Sequence, residues 1–158
     1  MRTPKYALEA LATLRDSKAD QALARLAAVI DDRVSAERTL HECESRCADH
    51  DAAVARLRAD EESALALGKL RVTDLARADA WKLSVAAERE ALEAARARAL
   101  ARHQRAVDAE GDARHAAIAC QSDARLVRED RQRWIERVRA LAEAAEDEAR
   151  AETWRRPQ

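Results

Sequence analysis

The sequence predicts an all-α fold, a long two-helix antiparallel coiled-coil hairpin, on three observations. The 158 residues include two Gly, two Pro and no Asn, while Ala, Glu, Arg and Leu dominate. Turns draw on Gly, Pro, Asn and Asp, whereas the dominant residues lose little conformational entropy in a helix. Hydrophobic residues make up 47% and charged residues 37%, yet aromatics only 3%. Alanine supplies most of that apolar count, too little bulk for a multi-layer core. Apolar positions also recur in alternating steps of three and four, the signature of a coiled coil. These features exclude a β protein, an α/β nucleotide-binding enzyme and a disulfide scaffold.

The chain reads as one helical hairpin over 1–158, with helix 1 over about 5–66, a turn over about 67–74 and helix 2 over about 75–154. Pro4 and Pro157 bracket the helical region, as expected of a residue tolerated at helix edges. In the first arm the seam runs Ala22, Leu26, Val29, Ala36, Leu40, Cys43, Cys47, Val54, Leu57 and Ala64. In the second it runs Val85, Leu92, Ala99, Ala106, Ala113, Ala117, Cys120, Ala124, Val127, Trp134, Val138, Leu141 and Ala145. The period breaks clearly at Leu67–Asp74, where Gly68 suits a helix C′ position and Thr73 or Asp74 an N-cap. Gly111 falls inside an unbroken heptad and reads as a helical glycine. Arms of about 60 and 80 residues would be ~90 and ~120 Å long at 1.5 Å per residue.

Polar residues interrupt both seams: Arg33, His50 and Glu61 in the first, Arg96, His103, Glu110 and Arg131 in the second. Such residues cost stability but set register or partner choice. Residues 31–62 carry ten acids against five arginines, and residues 89–107 carry five arginines against Glu90 and Glu93. That asymmetry favours pairing between arms over self-pairing of the first.

Candidate chemistry is sparse. Cys43, Cys47 and His50 share a helix stripe with His41 nearby, but a zinc site needs about four converging ligands. Cys120 and His115 lie on the other arm and do not complete it, so the cysteines read as small apolar residues in a thin seam. Three unpaired cysteines suit a reducing compartment. No phosphate-binding loop, zinc-protease motif or nucleophile elbow is present. The reading is of no enzyme, no cofactor and no metal.

Arg125–Arg139 holds six Arg against three acids, with Trp134 among them. The acids Glu143, Glu146, Asp147 and Glu148 follow at once and would repel phosphate, so no nucleic-acid partner is expected. For a protein partner, Arg and Trp are the residue types that dominate interface hot spots. Packing in the seam is the first reading for Trp134. Leu65, Leu67, Leu70, Val72, Leu75, Trp81 and Leu83 gather bulk around the turn, either as an exposed docking surface or as a local mini-core; the sequence leaves both open. No apolar stretch approaches the ~20 residues of a membrane span, and no apolar h-region follows Met1-Arg2-Thr3-Pro4. A cytoplasmic protein without membrane insertion is expected.

The opening Tyr6-Ala-Leu8-Glu-Ala-Leu11-Ala-Thr13-Leu14-Arg15-Asp16-Ser-Lys18 resembles the start of the FliJ/YscO family of type III secretion stalk proteins. In that family a leucine-rich stretch ending in a basic residue enters the first helix. Length, topology and turn position are similar over the whole chain, and the Arg/Ala character resembles the plant-pathogen, Hrp-type branch. The resemblance implies a coiled-coil stalk of the export ATPase complex, at the inner-membrane secretion apparatus and active in virulence. It implies an ATPase contact through Leu8, Leu11, Leu14, Arg15, Lys18, Arg131, Arg133, Arg137 and Arg139. It implies an export-gate or chaperone contact around Leu67, Leu70, Leu75 and Trp81. The alternative from the residues themselves is a self-assembling coiled coil, a homo-oligomer whose defective seams pair between chains.

Overall fold

A computed structural model of the chain describes residues 5–69 and 71–155, with all side chains in them except those of Val72, Leu75, Ala76, Thr153 and Arg155. Among the described residues there are two helices and no strand: α1, Glu9–Ala66, and α2, Val72–Arg155. They pack against each other as an α-helical hairpin.

The turn follows from one glycine and one carboxylate. Gly68 adopts φ +66°, the left-handed region that costs other residues about 1–2 kcal/mol. There Lys69 N donates to Ala64 O and Gly68 N to Leu65 O, both at 3.0 Å. These bonds form a Schellman motif with Gly68 at C′, the place the sequence assigns it. α2 starts at Val72, earlier than the expected position near 75. The reason is the role of Asp74. Its carboxylate accepts from the Arg71 backbone N at 3.0 Å, so Asp74 sits at N3 of the helix and reaches back, and Arg71 occupies the N-cap position. α1 starts at Glu9, later than the expected position near 5. Its first bonds run from Glu9 N to Tyr6 O at 3.3 Å and from Ala12 N to Leu8 O at 2.9 Å.

The chain divides into two compact units, Met1–Ala27 with Asp112–Gln158, and Ala28–Gly111. In the unit formed by Ala28–Gly111, the buried apolar residues are Ala36, Leu40, Cys47 and Ala99. Val29, Cys43, Val54, Ala64, Val85, Leu92 and Ala106 are half-buried, as the heptad reading places them. Leu57 departs from it and is 51% exposed. A buried methylene contributes about 0.8 kcal/mol and a fully buried Leu about 1.5–3, so an alanine-lined seam stabilises weakly.

Two seam interruptions in this unit meet. Arg33 Nε lies 2.7 Å from Glu110 Oε2, with Glu110 largely covered, and Arg33 Nη1 bonds Glu37 Oε2 at 2.8 Å. Arg89 pairs with Asp51 at 2.9 Å and Arg96 with Glu44 at 3.6 Å. The acidic stretch of α1 thus faces the basic stretch of α2, each exposed pair contributing about 0.2–1 kcal/mol. Both ring nitrogens of His50 and Nδ1 of His103 are buried without a hydrogen-bond partner among the described residues.

In the unit carrying both ends of the chain, the buried apolar residues are Tyr6, Ala12, Ala19, Ala113, Ala117 and Ala124. Cys120, Val127, Trp134 and Val138 are half-buried at their seam positions. Leu141 and Ala145, expected in the seam, are exposed, Leu141 by 71%. The outermost cross-helix pairings are those of Tyr6 with Asp130 and Trp134, so no described residue of α1 lies opposite Leu141 or Ala145.

Replacing Arg33 by Leu takes the cross-helix cation away from the half-buried carboxylate of Glu110, and the expected loss is about 1–2 kcal/mol in a urea titration followed by far-UV circular dichroism. Adding Glu110→Leu restores most of it, since an apolar pair at such a site is near neutral. A double variant as unstable as the single one contradicts the pairing.

Candidate partner-binding surfaces

In the unit carrying the chain ends, Ala12 and Ala19 lie one heptad apart and face inward. Leu11 and Leu14 therefore fall outside the contact and are 37% and 51% exposed; Leu8, just before α1, is exposed as well. Leu11, Leu14 and Lys18 follow an i, i+3, i+7 spacing and form one outward stripe. The six basic residues of the sequence-derived set fall into two groups. Arg15 Nη1 bonds Asp123 Oδ2 at 2.6 Å, and Arg131 Nη2 bonds Glu9 Oε1 at 2.8 Å. These two clamp α1 to α2, helped by Arg128, whose Nη2 lies 2.7 Å from Asp16 Oδ1. By contrast Lys18, Arg133, Arg137 and Arg139 are exposed. Arg133 and Arg137 share one face of α2 at i, i+4, and Arg139 points to another. The basic residues of the set are therefore split between structural clamps and outward cations.

The sequence reading missed Tyr6 as a core residue. Its hydroxyl donates to Asp130 Oδ2 at 2.6 Å, and its ring lies 5.5 Å from that of Trp134 at a tilt of 52°. The signal was present in part: stepping back by sevens from Leu26 reaches Ala19 and Ala12, which extends the seam toward this ring. The hydrogen bond to Asp130, burial and the charge of Asp130 raise the Tyr6 hydroxyl above its ordinary value of 10.0, with Arg131 opposing.

In the unit formed by Ala28–Gly111, Leu67 is exposed by 66%. Leu70 lies outside the described residues, and so does the side chain of Leu75. Trp81 is half-buried and lines a groove of about 320 Å³ with Leu57, Ala78, Glu61, Asp74 and Arg77. Of the two readings open for this region, neither is met in pure form: Trp81 is sheltered, while Leu57, Leu65, Leu67 and Leu83 are exposed.

Among the described residues no group of three or more His, Cys, Asp or Glu is arranged to hold a metal ion. Cys43, Cys47 and Cys120 are free thiols, with Cys47 buried. No helix among the described residues is long and apolar enough to cross a membrane. No protein-family model matches the chain, nor does any curated protein or solved structure.

Because the protonated Tyr6 hydroxyl is the form that bonds Asp130, its contribution to folding is complete below pH 10.0, its ordinary value, and is lost as pH rises through the raised folded value. Absorbance at the phenolate band, from the chain's one tyrosine, should titrate above 10.0 in the folded protein. Asp130→Ala should move that midpoint down. An unchanged midpoint contradicts the hydrogen bond.

Proposed function

We propose that this chain is a non-enzymatic coiled-coil stalk of a bacterial type III secretion export ATPase complex, cytoplasmic and peripheral to the inner-membrane apparatus. In this reading it links the ATPase ring to the export gate and also serves secretion chaperones. It needs no cofactor and no metal, contacts no nucleic acid and does not insert into the membrane. The reading rests on the resemblance of the Tyr6–Lys18 opening and on the helical hairpin. The observation that carries it is the outward stripe of Leu11, Leu14 and Lys18, with Arg133 and Arg137 outward on α2, in the unit that holds both chain ends. Apolar side chains left in water beside unpaired cations are what a protein interface consumes. Arg15 and Arg131 take a supporting role, holding α1 and α2 together beneath that surface. Leu67 and Trp81 would serve the gate or chaperone contact at the turn.

A second reading, self-assembly, draws on the exposed Leu100 and Val107. They lie one heptad apart on α2 and would form an extra seam between chains.

Two measurements separate the readings. Co-purification with a secretion-type hexameric ATPase should yield a complex and a changed rate of ATP turnover. Leu11→Asp with Leu14→Asp should weaken that complex at least tenfold, as expected for losing two anchor side chains, about 1.4 kcal/mol or more. No complex and no rate change would sink the stalk reading. Sedimentation velocity over a wide concentration range should give a monomer for a stalk. Concentration-dependent oligomers abolished by Leu100→Lys and Val107→Lys would establish the self-assembly reading instead.

A further inference from the structure

Glu61 interrupts the apolar seam of α1, and its environment differs from that of the other charged seam residue in α1. Arg33 is neutralised across the hairpin by Glu110. Glu61 is half-buried and makes no hydrogen bond or ion pair to any described residue. Instead it lines the groove at the turn end of its unit, beside Leu57, Ala78 and Trp81. Asp74 adds a second carboxylate, held at the start of α2 by its bond from Arg71 N. The one cation lining the groove, Arg77, is 85% exposed and only 4.0 Å from Asp74 Oδ1, a contact at the limit of an ion pair and easily exchanged.

An unpaired carboxylate held partly out of water carries a desolvation cost that an arriving cation removes. Trp81 lines the same groove and offers cation–π attraction to a cation that stacks on its indole, and the aliphatic wall of Leu57 and Ala78 accepts apolar surface. We propose that this groove docks a helical segment of a partner protein that presents a Lys or Arg side chain to Glu61 and Asp74, with an aliphatic side chain one turn away packed on Leu57 and Trp81. The charge of the groove decides the occupant: an acidic segment would face two carboxylates, whereas a basic amphipathic helix meets complementary charge and apolar surface together. This inference rests on the reading of the turn end as partner-facing, and specifies the chemistry that such a partner must bring.

The test uses the full chain carrying Trp134→Phe and Trp154→Phe, so that Trp81 alone emits, and two synthetic amphipathic helices of identical leucine pattern. One bears Lys at the flanking positions and the other Glu. The Leu/Lys peptide should shift Trp81 emission saturably, the Leu/Glu peptide should not, and Glu61→Gln should weaken the Leu/Lys response at least threefold. Glu61→Gln keeps a good helix former, and far-UV circular dichroism checks that the hairpin is intact. Equal responses to both peptides, or no effect of Glu61→Gln, would overturn the proposal. An export-gate cytoplasmic domain is titrated in parallel. If it leaves Trp81 unmoved while the Leu/Lys peptide binds, the gate assignment fails and the groove chemistry stands.

Discussion

The fold depends on how closely two helices approach when alanine lies between them. Ala36 and Ala99 in one unit, and Ala12, Ala19, Ala113, Ala117 and Ala124 in the other, account for most of the buried apolar residues. No side chain larger than these is fully enclosed among the described residues. A contact built from methyl groups brings backbones near each other but removes little apolar area from water. Much of the stabilisation must then come from the helices themselves, whose residues are strong helix formers, and from pairs that flank the seam. Arg15 with Asp123, Arg128 with Asp16 and Arg131 with Glu9 join the helices in the first unit. Arg33 with Glu110, Glu44 with Arg96 and Asp51 with Arg89 do so in the second.

Polar residues on the seam meet three different fates, and the differences are informative. Arg33 and Glu110 cancel one another, which ties a particular residue of α1 to a particular residue of α2 and opposes a slip by one turn. His50 sits with Nδ1 at 3.6 Å from Asp51 and Nε2 at 3.7 Å from Glu88, too far for hydrogen bonds. Its burial is a cost that the neighbouring Leu40, Cys47 and Val54 have to offset. Glu61 opens onto a groove. A seam of this kind is tolerant in one place, specific in another and exposed in a third, and that gradient separates structural charges from those available to a partner.

Much of the architecture was legible in the sequence because a heptad is a local and repetitive signal. The half-buried or buried state of Val29, Cys43, Val54, Ala106, Cys120 and Val138 follows from spacing alone, and so does Gly68 as the helix terminator. Two of the failures concern where the partner helix stops and how one side chain reaches back. Leu141 keeps the period but lacks an opposite number among the described residues, and Asp74 caps from inside the helix instead of from its edge. Composition also could not separate Arg15 and Arg131 from Arg133 and Arg137: all lie near leucines or in a basic stretch, and only cross-helix geometry reveals which cations are already bound. The groove at Trp81 joins residues from both sides of the turn, a juxtaposition that no single-helix pattern encodes.

A seam whose chief requirement is smallness has a consequence for how much information it stores. Alanine, serine, cysteine and glycine all fit between closely spaced helices, and Cys47 already takes such a place in this chain. Exposed positions outside the cross-helix ion pairs accept almost any mixture of Arg, Glu, Gln and Lys without altering the contact. The number of sequences able to fold into this hairpin is consequently very large, and two chains of the same architecture and duty can share almost no residue at matching positions. Geometry in such a molecule persists where sequence similarity fades, leaving Gly68 with its left-handed backbone as the place where kinship would be written.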